Sequence, residues 1–343
     1  MTRNLAIALL VSSLFYTPIR AVTFDWATIQ DLNNPDDIYD GGFGRVGHAY
    51  RISKHEVSNA QYAEFLNAVA ATDANGLYHP AMGLNTQGGI TRSGLAGSYT
   101  YAVKLPAVGQ GPSGSDYTYD NKPVVYVSFL SAMRFVNWLE NGQGSGGTES
   151  GVYTIGNGTN EVRSASANYW IPSEDEWYKA AYYDPNGGGG SGVYYGYPLS
   201  TFAIPNNNPP SADTGNSANF HDNGYTTGNL SYPMTDVGAY SLSESPYGTF
   251  DQGGNVGEWN EAVISGSFRG YRGGSWSTDV SSLHANSRGS AFPSNVGSNI
   301  GFRVAAAVPE HSTLMLLTVA GLCSCFRRST RHIRQSVFTL QDT

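Results

Sequence analysis

GGNVGEWNEAVISGSFRGYRGGSWSTDVSSLHANSRGSAFPSNVGSNIGFRV, residues 253–304, is the stretch whose reading decides the fold. Dense in Gly, Ser and Asn, it offers little that could form a regular helix. Trp259, Phe268, Tyr271, Trp276, Phe292 and Phe302 nevertheless stand along it as apolar anchors. A segment of this kind folds only on a scaffold supplied by the rest of the chain. Its paired glycines, Gly253-Gly254 and Gly273-Gly274, provide left-handed or closely approaching backbone. Asn255 and Glu258 set two oxygen-bearing side chains three residues apart, which suits either a hard cation or a hydrogen-bonded knot.

Composition bounds the rest. With 42 Gly, 23 Tyr and 6 Trp in 343 residues and only 13% charged side chains, the chain suits an irregular, loop-heavy fold rather than a helical bundle. A net charge of −8, with no run of Lys or Arg in the body, argues against nucleic acid as a partner. Both cysteines, Cys323 and Cys325, fall in the apolar C-terminal stretch, so the globular body has neither disulfide nor thiol.

Upstream, three segments announce helices. Ser58 can cap one in which Asn59, Tyr62, Phe65, Leu66 and Val69 follow a 3.6-residue period. Ser128 can cap a second, with Ala132, Phe135, Val136 and Leu139 on one side. Ser173 and Glu176 form a capping box for a third, and Glu174 and Asp175 in its first turn complement the helix dipole. The cap explains these three acidic residues without assigning them chemistry. Pro123–Val127 reads as a buried strand, residues 76–120 as a surface excursion with short strands, and 186–192 and 203–217 as loops.

The ends read as address labels. MTRNLAIALLVSSLFYTPIRA, with Arg3, an apolar Leu5–Tyr16 core and Ala21 at a cleavage position, reads as a secretory signal peptide. Near the other end an apolar run from Leu314 to Phe326 precedes Arg327, Arg328, Arg331 and Arg334. It is short for a full span, and the basic residues behind it orient the body outward.

GNVGEW, Arg272–Trp276 (RGGSW), Ser287–Ser290 (SRGS) and Ile300–Val304 (IGFRV) together resemble the C-terminal signature of the formylglycine-generating enzyme family, also called sulfatase-modifying factor proteins. Lys54–Val69, Lys122–Leu139, Tyr169–Asp184 and Ser217–Phe220 are similar to upstream blocks of the same family, in the same order. The resemblance implies an α+β, loop-rich fold with low regular secondary structure, distantly like C-type lectins. It divides the chain into a leader (1–21), an N-terminal extension (22–46), the family domain (47–306), a sorting or anchor segment (307–334) and a tail (335–343). Val308-Pro309-Glu310, the apolar run and the Arg cluster resemble the PEP-CTERM sorting signal. That resemblance implies an exosortase-type processing enzyme as partner and residence in the outer envelope or at the cell surface, anchored at least transiently in the membrane.

The resemblance also implies two structural calcium sites. One falls on Asn219 and Phe220, with Asp222 as candidate acidic ligand. The other takes Asn255 and Glu258 by side chain and Gly254 and Val256 by carbonyl, although the family commonly has Trp where this chain has Gly257. A hydrogen-bonded turn without an ion stays open as the alternative for Asn255 and Glu258.

The family's namesake enzymes oxidise a cysteine with O₂ through two copper-binding thiols just after the GGS-aromatic motif. Here the matching positions fall near Thr278 and Leu283, neither of which binds soft copper. Relatives with a three-His iron site find no counterpart, because the seven His are scattered and only His284 falls near the equivalent pocket. Two functions stand open. One is a non-catalytic exported module that binds peptide, glycan or exopolymer. The other is a metal-dependent oxidase or hydroxylase using non-cysteine ligands such as Asp279 and His284. The missing thiols, the aromatic and Gly/Ser-rich loops and the envelope address favour the first.

Overall fold

A computed structural model describes residues 21–309. The leader up to residue 20, and the apolar run, Arg cluster and tail beyond residue 309, lie outside the described residues. In chain order the strands are β1 (Trp26–Ile29), β2 (Tyr50–Ser53), β3 (Ile90–Ser93), β4 (Thr100–Val103), β5 (Tyr169–Trp170), β6 (Tyr183–Asp184), β7 (Val193–Tyr194), β8 (Gly257–Ile264), β9 (Phe268–Arg272), β10 (Gly289–Ala291), β11 (Ile300–Gly301) and β12 (Ala305–Ala307). The helices are α1 (Asn59–Val69), a single turn α2 (Ala81–Leu84), α3 (Phe129–Glu140) and α4 (Glu174–Tyr182). This is an α+β fold in which most of the chain is loop.

All three predicted caps form. The Ser58 hydroxyl accepts from Gln61 N while the Gln61 side chain accepts from Ser58 N, closing a capping box on α1. Ser128 accepts from Ser131 N at 3.0 Å, and Ser173 and Glu176 close the box on α4. The apolar stripes of α1 and α3 meet in an aromatic nucleus. Phe135 lies 5.3 Å from Phe65 and 6.0 Å from Tyr62 between ring centroids, and Phe302 of the glycine-rich stretch packs on it at 5.3 Å. Phe302 therefore ties the irregular segment to the helical scaffold.

Two four-stranded sheets hold the loops. In the first, ordered β1-β2-β12-β5 and antiparallel throughout, β2 lies between β1 and β12, so the start and end of residues 21–307 are neighbours. Strand β1 comes from the 22–46 stretch and pairs along Trp26–Ile29 with β2. In the second sheet, ordered β10-β9-β8-β11, the hairpin β8–β9 carries an irregularity between Trp259 and Val263, and β11 runs parallel to β8. Within residues 76–120, β3 and β4 form a hairpin that leans on α1, where Tyr101 Oη donates to Ala70 O at 2.8 Å.

The expectation for Pro123–Val127 needs correction. The run is buried, but it joins no sheet. Val124 N donates to Val57 O and Tyr126 N to Gly297 O, both at 2.8 Å, while Tyr126 takes a left-handed φ of 60°. That residue breaks the period-two alternation a strand needs, and the apolar run is satisfied by burial alone.

Candidate functional site

Residues 253–304 are organised by a buried ion pair. Glu258, the second residue of β8, and Arg303, just after β11, both have fully buried side chains. Arg303 Nε donates to Glu258 Oε2 at 2.5 Å and a terminal nitrogen donates to Oε1 at 2.6 Å, a two-pronged pairing. The remaining donors of Arg303 reach the carbonyls of Ser53 and Lys54, at the end of β2, and of Phe250, so it ties two segments far apart in sequence to its own. Trp177 Nε1 donates to Glu258 Oε2 at 2.7 Å and brings in α4.

Beside this pair lies the asparagine knot. Asn255 N donates to Asn219 O at 2.8 Å and Asn219 Nδ2 to Asn255 Oδ1 at 3.1 Å, so the two segments read separately in the sequence are brought together. Asn255 Oδ1 also accepts from Thr235 N, and Asn255 Nδ2 donates to Glu56 Oε1. Gly254 makes the approach possible. Its φ is +91°, and a Cβ there would stand 2.4 Å from Asn219 O. Gly254→Ala should lower stability by about 2 kcal/mol, from left-handed strain and displaced backbone together. Urea unfolding should show a lower midpoint at unchanged slope; an unchanged midpoint would contradict the close approach.

These contacts bear on the implied calcium sites. Both oxygens of Glu258 are committed to Arg303 and Trp177, so Glu258 is not the open carboxylate that a calcium cage requires. Asn255 Oδ1 is taken by donors, and Asp222 is exposed, with Asn223 Nδ2 on its Oδ1. Phe220, Val256 and Gly254 are buried around the knot. Of the implied side-chain ligands, Asn219 Oδ1 alone is buried without a hydrogen-bond partner. The set carried over from the family does not fit a cation cage in this arrangement; it is a hydrogen-bond and ion-pair knot.

Sequence reasoning missed the acidic companions of Arg303. Glu56 is 2% exposed and Asp251 9% exposed. Burial pushes Glu56 well above the usual carboxylate range, with the charges of Asp251 and Glu258 adding to it. Burial likewise pushes Asp251 up to about 6. A lone Arg between Phe302 and Val304 was the available signal, since a guanidinium inside an apolar run must have a buried acidic partner.

The positions matching the family thiols lie on the loop after β9. Thr278 Oγ1 accepts from Ser275 N at 2.9 Å and donates to Ser275 O, closing a turn. Leu283 is fully buried in an apolar cluster with Tyr197, Leu199, Ala218 and Phe220. His284 points elsewhere: its Nδ1 accepts from Asn286 N and lies 4.0 Å from Asp40, and its ring stands edge-on to Tyr197. Asp279 caps the next turn by accepting from Ser281 N and its hydroxyl. Among the described residues no three His, Cys, Asp or Glu side chains converge in metal-binding geometry.

Next to Thr278 the protein is hollow. A cavity of about 170 Å³ is walled by Tyr271, Arg272, Ser275, Thr278, Ser282 and Arg288, with Asn299 and several glycines completing it. Gly257 opens onto it; a Cβ there would meet Tyr271 Cδ2 at 3.2 Å and Gly274 O at 3.4 Å. Glu174 secures the wall from behind, accepting from Arg272 Nε at 2.7 Å and from Arg288 at 2.5 Å. The three acidic residues of α4 thus do more than cap it. Asp175 Oδ1 accepts from Gly44 N, and Glu176 accepts from Arg163, His48 and Trp170. A second cavity of about 390 Å³, at the edge of β1, β2 and α1, has an acidic lining that includes Asp25, Glu56 and Glu64.

Residues 44–308 match the Sulfatase-modifying factor enzyme 1-like domain. The crystal structure of CarF is similar over 84% of this chain and 100% of that chain, at 21% identity and a TM-score of 0.50. Treponema denticola variable protein 1 is similar over 84% of this chain and 97% of that chain, at 20% identity and a TM-score of 0.50. PvdO from Pseudomonas aeruginosa gives 18% identity over 83% of this chain and 92% of that chain, at a TM-score of 0.40. At these identities the likeness speaks to the fold alone. Among proteins of curated function none matches the chain.

Proposed function

The chain belongs to the sulfatase-modifying factor family, and from that premise we propose that it is an exported, non-catalytic member that binds a peptide, glycan or exopolymer at the cell envelope. One observation carries this reading: the hydroxyl of Thr278 is spent on a turn and Leu283 is sealed in an apolar cluster, yet the cavity beside them remains open and polar. A site whose redox groups are replaced by structural ones, with its pocket kept, retains the means to bind and not to oxidise. The alternative, oxidation through Asp279 and His284, meets a geometric obstacle. Each side chain is committed to a local turn, and neither lines the cavity.

Export and envelope residence belong to the same proposal and rest on the leader and sorting-signal patterns, with an exosortase-type enzyme as processing partner. Retention of the full chain on immobilised cell-surface polysaccharide tests the binding function. It should exceed that of a size-matched inert protein and disappear in Gly257→Trp, which places a large ring at the mouth of the cavity. Equal retention of control and wild type would overturn it.

A further inference from the structure

We propose that the cavity beside Thr278 selects an anionic group carried on a sugar, a uronate carboxylate or a sulfate ester, as the recognised feature of an acidic polysaccharide. The inference rests on the binding reading above and narrows its ligand. The charge of the walls motivates it. In a protein of net charge −8, the charged side chains around this space are Arg272 and Arg288, with no carboxylate in the lining. Glu174 pairs with both guanidinium groups from behind, one carboxylate shared between two cations.

Arg272 adds an independent mark. It is 1% exposed, and its Nε and one terminal nitrogen are used on Glu174 and the carbonyls of Ala285 and Ser287. Its other terminal nitrogen is buried with no hydrogen-bond partner. Phe43 and Tyr178 pack against the guanidinium at 4.5 and 5.0 Å and hold its plane in place. A buried donor left unmet carries a cost of about 1–3 kcal/mol, which marks this wall of the cavity as incompletely satisfied. Guanidinium groups recognise carboxylate and sulfate-like oxygens by paired N–H donation.

The neighbours suit a sugar. Hydroxyls of Ser275, Thr278 and Ser282 and the amide of Asn299 line the same space, and Tyr271 supplies a ring wall. Hydroxyls adapt as donors or acceptors to sugar hydroxyls, and an aromatic face covers the apolar side of a pyranose. At about 170 Å³ the space takes a single pendant group of a polymer, not a length of chain. The larger cavity has Asp25 and Glu64 in its lining and no arginine or lysine, and serves as an internal contrast.

Titration calorimetry on the full chain tests this with three oligosaccharides of equal length: an unsulfated oligouronate, a sulfated neutral-sugar oligomer and an uncharged one. At low salt at least one anionic oligomer should bind no less than tenfold more tightly than the uncharged one, and the margin should shrink as salt rises. Arg288→Gln, at an exposed position, should weaken anion binding about tenfold with little change in melting temperature, and Gly257→Trp should abolish it. Preference between the uronate and sulfated arms identifies the group. Equal binding of the uncharged oligomer, sensitive to Gly257→Trp, would overturn the anion inference and leave the binding function standing. Affinities unchanged in both variants, or no binding of any oligomer, would overturn the inference outright.

Discussion

Arg303→Met should lower folding stability by about 3–5 kcal/mol, the range for breaking a buried ion pair from one side. The loss has two sources. Glu258, fully buried, keeps only the Trp177 indole as a donor, and the carbonyls of Ser53, Lys54 and Phe250 lose their guanidinium donor, Lys54 O alone keeping a second one, Phe250 N. Because Ser53 ends β2 of one sheet and Glu258 lies in β8 of the other, the damage reaches both sheets. Chemical denaturation should show a large drop in midpoint. The double substitution Arg303→Met with Glu258→Met should recover much of the loss, since an apolar pair of similar volume carries no uncompensated charge. Equal destabilisation in the single and double variants would show that the pair itself matters little.

Acid should act on this protein in two opposite stages. Burial would raise Glu176, but hydrogen bonds from His48 and Arg163 and the Arg163 charge outweigh it and hold the carboxyl at about 2 against an ordinary 4.5. A folded pKa below the unfolded one stabilises at higher pH, and that stability is lost as pH falls from about 4.5 toward 2. The shift corresponds to about 3 kcal/mol. Burial pushes Glu261 up to about 7 and Asp251 up to about 6, and it raises Glu56 as well. These groups take up protons more readily when folded, so between their folded and unfolded values stability rises as pH falls. His55, lowered to about 4 by burial and by Arg303, works against that rise. Three carboxyls against one imidazole give a net gain from pH 7 to about 5, followed by a loss below about 4.5. Melting temperatures measured from pH 7 to 3 should pass through a maximum. Glu261→Gln should flatten the upper limb and Glu176→Gln the lower one; a steady decline from pH 7 would contradict the assignment.

Local signals carried much of the architecture into the sequence. Ser58, Ser128 and Ser173 mark helix starts because a hydroxyl before an apolar period has one economical use, and those helices form where the pattern puts them. The anchors of the glycine-rich stretch were legible in part: Trp259, Trp276 and Phe302 are buried, Phe268 and Tyr271 only half so, and Phe292 is exposed. Long-range electrostatics were not legible. The pairings of Glu258 with Arg303 and of Glu174 with Arg272 span 45 and 98 residues, and nothing local to Glu258 distinguishes a cation ligand from half of an ion pair. Pro123–Val127 misled for a related reason, since a buried apolar run has the same composition whether or not a partner strand is present. The cavity beside Thr278 was not legible either, since its basic lining exists only where Arg272 and Arg288 come to one wall.

The whole account turns on whether a domain with no thiol in its body still oxidises. Oxygen uptake by the full chain, supplied with copper, a reductant and a cysteine-containing peptide, measures this directly, with the peptide mass read afterwards. The account predicts uptake equal to a copper-only control and an unchanged peptide. Oxygen consumed in proportion to peptide, with cysteine converted to formylglycine, would contradict it.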